Sequence, residues 1–83
     1  MPHLICYDIT NNSLRTKMAK RIIEHGLDRI NKSVYLGAIA TQELADLEQK
    51  LSDYMNKDGD PDDSLLIIPV TAGQIQDMKI YGR

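Results

Sequence analysis

Two residues near the start of the chain have the types that phosphate chemistry needs. Asp8 directly follows a short apolar run at residues 3–7, so its carboxylate is expected at the end of a strand, where ligands of α/β sheets often gather. Arg15 follows in the next predicted element, and arginine is well suited to phosphate oxygens. An aspartate after a strand is also an ordinary turn residue. A single carboxylate is a poor Mg²⁺ site unless a two-fold dimer supplies a second one.

Arg15 interrupts the apolar stripe of the helix that the sequence predicts after this strand. At about 100° per residue, it falls inside the apolar arc that runs from Leu14 through Met18 and Ile22 to Ala19 and Ile23. It also lies in the first turn, where the helix dipole disfavours a cation. Either the side chain extends past the helix end, or it is placed for an anion. A phosphate beside a helix N-terminus and an arginine favours the second interpretation.

The hydrophobic pattern predicts a β-α-β-β-α-β order, which is an α+β, ferredoxin-like fold. Residues 27–40 indicate two short strands separated near Lys32 and Ser33, although a single bulged strand is the alternative. The other predicted elements are a strand at 3–7, a helix capped by Ser13 and stopped by Gly26, a helix capped by Thr41, an acidic loop at 56–63 and a strand at 64–70.

Residues 71–83 form a tail beyond a sheet that is already complete. Ile75, Met78 and Ile80 alternate imperfectly, which predicts an additional C-terminal strand that must pair with an exposed edge. Exchange of this strand in a homodimer would remove two edges at once, and a core without Trp or Phe also favours a partner subunit. A strand that folds back on its own sheet, or a partly disordered end, is the alternative.

Length and composition limit the class of protein. The 83 residues have room for one domain, spanning 1–83, and the single cysteine excludes an internal disulfide. No signal peptide and no apolar run of about 20 residues is read, so we expect a cytoplasmic protein with no membrane contact. The net charge of −2 argues against nucleic acid, but residues 1–32 carry six Lys or Arg against three acids, which suggests one anion-binding face.

Three segments resemble the CRISPR-associated protein 2 family. The family pattern of an apolar residue followed by Tyr-Asp-Ile matches residues 6–9, Arg-x-Arg/Lys matches 15–17, and Gly-x-x-Arg-x-Gln-x-Ser-Val-Phe-x-Gly matches 26–37. The segment at 32–37 is the most specific part. Asn31 stands where the family usually has Gln, and Tyr35 stands where it usually has Phe.

The resemblance implies a ferredoxin-like homodimer that acts in spacer acquisition. Such a dimer bridges two dimers of the CRISPR-associated protein 1 integrase and holds the DNA to be inserted, and some relatives are Mg²⁺-dependent endonucleases on single-stranded RNA or double-stranded DNA. Carried over to this sequence, Asp8 is the metal ligand and catalytic residue. The positions expected to bind nucleic acid are Tyr7, Arg15, Lys17, Arg29 and Tyr35.

Other functions remain open at this point. A stand-alone endoribonuclease that resembles the virulence-associated protein D toxins would share the fold. A protein–protein adaptor without nucleic acid would suit the acidic charge. The sequence does not separate an architectural DNA-binding subunit from a Mg²⁺-dependent phosphodiesterase, since Asp8 could be a ligand or a turn residue in either.

Overall fold

Four strands and three helices follow one another along residues 1–82, the part of the chain that this computed structural model describes. The first six elements have the predicted β-α-β-β-α-β order. The strands form one antiparallel sheet in the order β2-β3-β1-β4, which confirms the α+β ferredoxin-like prediction. The elements are β1 (Pro2–Asp8), α1 (Asn12–Glu24), β2 (Asp28–Asn31), β3 (Val34–Ala38), α2 (Thr41–Asp58), β4 (Ser64–Pro69) and α3 (Ala72–Asp77).

One face of the sheet carries the two long helices. Residues of a strand alternate between faces, and Ile5 and Tyr7 of β1 point into the core that α1 and α2 complete. Each fully buried aliphatic side chain in this core contributes roughly 1.5–3 kcal/mol. The buried side chains at positions 14, 18 and 22 confirm the centre of the apolar stripe predicted for the first helix, whereas Ile23, predicted at its edge, is exposed. The core side chains are Ile5, Tyr7, Ile9, Leu14, Met18, Ile22, Leu27, Tyr35, Ile39, Leu47 and Leu51.

The other face of the sheet is apolar but carries neither long helix. Leu4 lies between Leu36 and Ile68 in the strand register, and Cys6 lies between Val34 and Leu66. We call these six residues the open face. Leu66 is 49% exposed and Ile68 is 39% exposed, and the other four residues of this face are partly buried, so the β4 side of this apolar surface is the most exposed to solvent in one chain.

The two long helices begin at other residues than the sequence predicts. Ser13 is wrong as the cap of α1, because Asn11 is the N-cap and its Oδ1 accepts a hydrogen bond from the Leu14 amide at 3.0 Å. Thr41 is also wrong as a cap, because it is the first residue of α2 and follows Ala40, whose side chain makes no capping bond. Gly26 ends α1 as predicted, with a φ of +87° that glycine adopts without strain.

The loops around the predicted strand pair agree with the sequence in part. Residues 32–33 form the turn that separates β2 from β3, so the two-strand interpretation is confirmed. A register shift lies between Arg29 and Asn31 on β2. The acidic loop begins later than expected, since α2 continues to Asp58. None of the helices in residues 1–82 has the length and apolar character that crossing a membrane would require.

The tail contains a helix where a strand was expected. Ala72–Asp77 is α3, so the strand prediction is wrong for this segment. The reason is a capping box, in which the Thr71 hydroxyl accepts from the Gln74 amide and the Gln74 side chain accepts from the Thr71 amide. Residues 78–82 pair with no strand of the same described chain, and exchange of this segment between two copies stays a prediction.

Candidate functional site

A cavity of about 410 Å³ lies between α1 and the β2–β3 edge of the sheet. Four of its lining residues, Asn12, Arg15, Thr16 and Ala19, share one side of α1 because their spacing of three, four and seven residues follows the helical repeat. The rest of the wall comes from the sheet and its turn. The complete lining is Tyr7, Asn12, Arg15, Thr16, Ala19, Arg29, Lys32 and Ser33.

Three cationic side chains border this cavity, and backbone carbonyl groups position two of them. Arg15 donates from Nη1 to the carbonyl oxygen of Ile9 at 3.3 Å, and Arg29 donates from Nε to that of Lys32 at 3.0 Å. The Arg29 guanidinium also lies 6.0 Å from the ring centre of Tyr35. We call Arg15, Arg29 and Lys32 the cation trio.

No carboxylate neutralises the cation trio within the described chain. The salt bridges found in residues 1–82 join Lys17 to Asp58 and Arg21 to Glu24, both outside the cavity. Each arginine keeps guanidinium N–H groups beyond those donated to carbonyl oxygens. The cavity is therefore a local excess of positive charge with spare hydrogen-bond donors, in a protein whose net charge is −2.

Tyr7 lines the inner wall of the cavity, and Tyr35 lies behind it. The hydroxyl groups of Tyr7 and Tyr35 are 3.0 Å apart, and the ring centres are 5.9 Å apart. Burial, followed by the hydrogen bond to Tyr35, raises the pKa of Tyr7 well above its usual range, while Arg29 and Arg15 act in the opposite direction. Tyr7 is uncharged at neutral pH, as an ordinary tyrosine is, and its hydroxyl group is either donor or acceptor in the bond to Tyr35.

Asp8 lies on the opposite side of the sheet from this cavity. It follows the buried Tyr7 on β1, so strand alternation turns its carboxylate toward the open face, where it is exposed. It pairs in register with Ser64 and does not line the cavity. Among residues 1–82 there is no cluster of three or more His, Cys, Asp or Glu that could hold a metal ion. One chain thus offers a single carboxylate, which fits Mg²⁺ only where a second copy or phosphate oxygens complete the ligand set.

Lys17 is the sequence-predicted residue that the structure places on the α2 side of α1. Its Nζ lies 3.5 Å from Asp58 and 5.0 Å from the ring centre of Tyr54. The structure thus brings together Tyr7, Arg15 and Arg29 around the cavity, with Tyr35 behind them. It separates Lys17 and Asp8 from that group.

Four polar residues of the cavity were missing from the predicted site. Asn12 and Thr16 could have been found, because they recur with Arg15 at helical spacing. Lys32 and Ser33 carry no comparable signal, since residues of a short turn are polar in most proteins.

A carboxylate also fixes the loop between β1 and α1. Asp63 accepts hydrogen bonds from the amides of Thr10 at 3.1 Å and Asp60 at 2.9 Å, so it ties this loop to the α2–β4 loop. The backbone bond from Asp60 is the main reason that the pKa of Asp63 is lowered, and the bond from Thr10 adds to it. We call these two bonds the Asp63 staple.

Comparison with known proteins gives a consistent set of relatives. A family model described as "CRISPR associated protein Cas2" matches residues 1–78. The chain is 32% identical over 80 residues to a "CRISPR-associated endoribonuclease Cas2" of Korarchaeum cryptofilum, covering 96% of this chain and 80% of that protein. It is 29% identical over 70 residues to the "CRISPR-associated endoribonuclease Cas2 1" of Archaeoglobus fulgidus, covering 84% of this chain and 71% of that protein. The crystal structure of Streptococcus pyogenes Cas2 superimposes with a TM-score of 0.82 at 18% identity, covering 99% of this chain and all of that one, which shows a shared fold.

Proposed function

The chain belongs to the CRISPR associated protein Cas2 family, and from this premise we propose that it is a homodimeric CRISPR adaptation subunit that binds nucleic-acid backbone. The observation that supports this function is the cation trio, which gathers positive charge around one cavity without a carboxylate partner in residues 1–82. Phosphate oxygens are the ligands that such a group of cations favours. Contacts to phosphates position a protein on nucleic acid but read little of its sequence.

The open face supports dimerisation. It presents six apolar side chains on the sheet side that neither long helix covers. A second copy that lays its own open face on this one would bury both surfaces and would form a two-fold interface. Asp8 lies at the end of this face, so a two-fold axis nearby would bring two Asp8 carboxylates toward each other.

The place in CRISPR adaptation rests on the family resemblance. In this role the dimer bridges two dimers of the CRISPR-associated protein 1 integrase and holds DNA between them. The integrase should therefore co-purify with the chain at micromolar concentration. Separate elution on size-exclusion chromatography would contradict the bridging role and would favour a stand-alone endoribonuclease or an adaptor.

Backbone binding is tested with closed-circular DNA, which has no strand ends. We expect affinity to fall steeply as salt rises and to vary little with sequence, because binding releases counterions from phosphates. Arg15→Gln should weaken binding and flatten the salt dependence, while Lys20→Gln, the same charge change outside the cavity on the same helix, should have a smaller effect. Affinity that does not change with salt, in the dimer and in the integrase complex, would overturn backbone binding.

A second candidate function is endonuclease activity at Asp8. It is favoured by the names of the relatives, which are CRISPR-associated endoribonucleases, and by the exposed position of this carboxylate at the end of β1. Two Asp8 carboxylates of a dimer, with phosphate oxygens, would suffice to hold Mg²⁺. The ion would supply charge stabilisation at the scissile phosphate.

Asp8→Asn tests this activity, because it keeps the shape of the side chain and removes its charge. Cleavage of single-stranded RNA in Mg²⁺ should be lost in Asp8→Asn and in EDTA, and should persist in Glu48→Gln, an exposed acid of α2. Cleavage that survives in Asp8→Asn would assign the activity to another residue or to a contaminant. A wild-type chain without cleavage would leave the backbone-binding role as the function.

A further inference from the structure

The cavity bordered by the cation trio has a shape that backbone binding alone does not require. A continuous duplex presents its phosphates along a convex ridge, for which a flat basic surface is sufficient. Here the cations face a concavity of about 410 Å³. That volume lies in the range of roughly 300–1,000 Å³ that is typical of small-molecule and cofactor sites.

The charge of the cavity also exceeds what one internal phosphate offers. A phosphodiester carries one negative charge, whereas a phosphate monoester carries about 1.5 to 2 at neutral pH, because its second pKa is near 6. A single internal phosphate therefore leaves more of the positive charge of the three cations uncompensated than a single terminal phosphate does. The Asn12 amide and the Ser33 hydroxyl group supply further donors around such an anion, whereas the Thr16 hydroxyl group donates to the carbonyl oxygen of Asn12 and that of Tyr7 pairs with Tyr35.

The two arginines of the cation trio come from elements that hold them in place, and Lys32 lies in the turn beside them. Arg15 is anchored on α1 by its bond to the Ile9 carbonyl group, and Arg29 is anchored on β2 by its bond to the Lys32 carbonyl group. Tyr7 and Tyr35 form a buried wall behind them. A site assembled on a helix and a strand is more rigid than one on loops alone, which lowers the cost of ordering it on binding.

We infer that this cavity binds one nucleotide that carries a terminal phosphate monoester, either as a free nucleoside monophosphate or as the phosphorylated end of a strand. The inference rests on the proposed function and makes it more specific. The phosphate would lie between Arg15 and Arg29, with Lys32 at the rim of the site. Because Asp8 is on the other face of the sheet, this terminal phosphate is distinct from any phosphate held at Asp8 of the same chain.

Binding of small probes to the full-length protein tests the inference. By isothermal titration calorimetry, AMP should bind at least about tenfold more tightly than adenosine, because only AMP engages the cation trio. A 5′-phosphorylated hexanucleotide should likewise bind more tightly than the same strand with a 5′-hydroxyl group. If only AMP binds more tightly than its unphosphorylated counterpart, the site binds free nucleotides. If the phosphorylated hexanucleotide also binds more tightly than its counterpart, the site accepts strand ends as well.

Two variants separate the cavity from general positive charge. Arg29→Gln removes an exposed cation of the cavity and should weaken AMP binding about tenfold to a hundredfold. Arg15→Gln should act in the same direction, which keeps the test informative if one variant folds poorly. Lys20→Gln should leave AMP binding within about twofold, since Lys20 does not line the cavity.

Equal binding of AMP and adenosine, together with equal binding of the two hexanucleotides, would overturn the inference. So would an equal loss of AMP binding in Lys20→Gln and Arg29→Gln. Closed-circular DNA has no terminal phosphate, so its binding tests the proposed backbone binding separately from the cavity assignment. If circular DNA binds and the monoester preference is missing, backbone binding stands and the cavity assignment fails, and the reverse result would retain the cavity and reject backbone binding.

Discussion

Tyr7 and Asp8 are neighbours in sequence that serve opposite sides of the sheet. Tyr7 points inward to Tyr35 and the cavity, while Asp8 points to the open face. This follows from the two-residue period of a strand. One chain therefore does not offer Asp8 and Arg15 to the same phosphate, and any partner of Asp8 in metal binding must come from a second copy or from the nucleic acid.

The hydroxyl pair of Tyr7 and Tyr35 should contribute to stability in an asymmetric way. Tyr35 is 0% exposed, so Tyr7→Phe leaves the Tyr35 hydroxyl group buried without a partner and should cost about 1–3 kcal/mol. Tyr35→Phe should cost about 1 kcal/mol or less, because the Tyr7 hydroxyl group can bond to water in the cavity. Urea unfolding of the two single variants measures both values.

The double variant Tyr7→Phe/Tyr35→Phe is the control for this pair. It removes both hydroxyl groups, so it should be more stable than Tyr7→Phe alone. Strictly additive losses in this double-mutant cycle would show that the hydroxyl groups do not interact across the 3.0 Å contact.

At the scale of the elements, the sequence predicts most of the fold because its apolar spacing is regular. Positions 14, 18 and 22 repeat at four residues, and the run at 64–70 has the length of a strand. The helix start is less predictable, because Asn11, Asn12 and Ser13 are all good capping residues in a row. Capping propensity alone does not select among these three residues, and the position of the cap at Asn11 depends on where β1 ends.

The structure of the tail and the residues that converge at the cavity could not be predicted from the sequence. The weak alternation at Ile75, Met78 and Ile80 suggested a strand, but a strong local capping box at Thr71 and Gln74 directs the chain into a helix first. Arg15 stood out because it broke a helical stripe. Its convergence with Arg29 depends on how the β2 edge packs beside α1, which no local pattern encodes.

The helix start can be tested with one substitution and its neighbour. Asn11→Ala removes the acceptor of the Leu14 amide and should lower the free energy of unfolding by about 1 kcal/mol. Ser13→Ala should change it by less than about 0.5 kcal/mol, because Ser13 lies inside α1 and is exposed. If urea unfolding shows a larger loss of stability in Ser13→Ala than in Asn11→Ala, Ser13 and not Asn11 is the N-cap.

The Asp63 staple makes the junction of two loops sensitive to acid. The pKa of Asp63 is lowered in the folded chain, so its contribution to stability is present above the unfolded value near about 4 and is lost as pH falls through the lower folded value. Asp63→Asn should therefore lower the melting temperature at pH 7, and the difference from wild type should shrink below about pH 4.

Asp62→Asn is the matched control for the staple. It removes the same charge one residue earlier, from an exposed position. A melting temperature that responds equally to both substitutions would attribute the effect to net charge rather than to the bonds from Thr10 and Asp60. A loss in Asp63→Asn that stays constant down to pH 3 would contradict the ionised carboxylate as its source.

At the scale of the whole molecule, the sheet separates two kinds of surface. The helix side carries the cation trio at its edge, while the open side carries apolar residues with Asp8 at one end. The end of the tail also borders the open side, where Met78, Ile80 and Tyr81 line a groove with Leu4 and Ile30. A dimer formed through the open side would leave both basic cavities on its outside, accessible to nucleic acid.

The open face should control the oligomeric state. Leu66→Lys places a charge on the β4 side of the proposed interface, and the two-fold symmetry of the dimer introduces this charge twice. Because Leu66 is already half-buried in one chain, the lost apolar burial alone amounts to about 1.5–3 kcal/mol per dimer, which raises the dissociation constant about tenfold to a hundredfold. Sedimentation equilibrium should then show a monomer at concentrations where the wild type is a dimer.

Ile23→Lys is the matched control, because Ile23 on α1 is 52% exposed against 49% for Leu66, and it should leave the dimer intact. A Leu66→Lys chain that stays dimeric while Ile23→Lys dissociates would move the interface to the helix side, where it would compete with nucleic acid for the surface around the cavities.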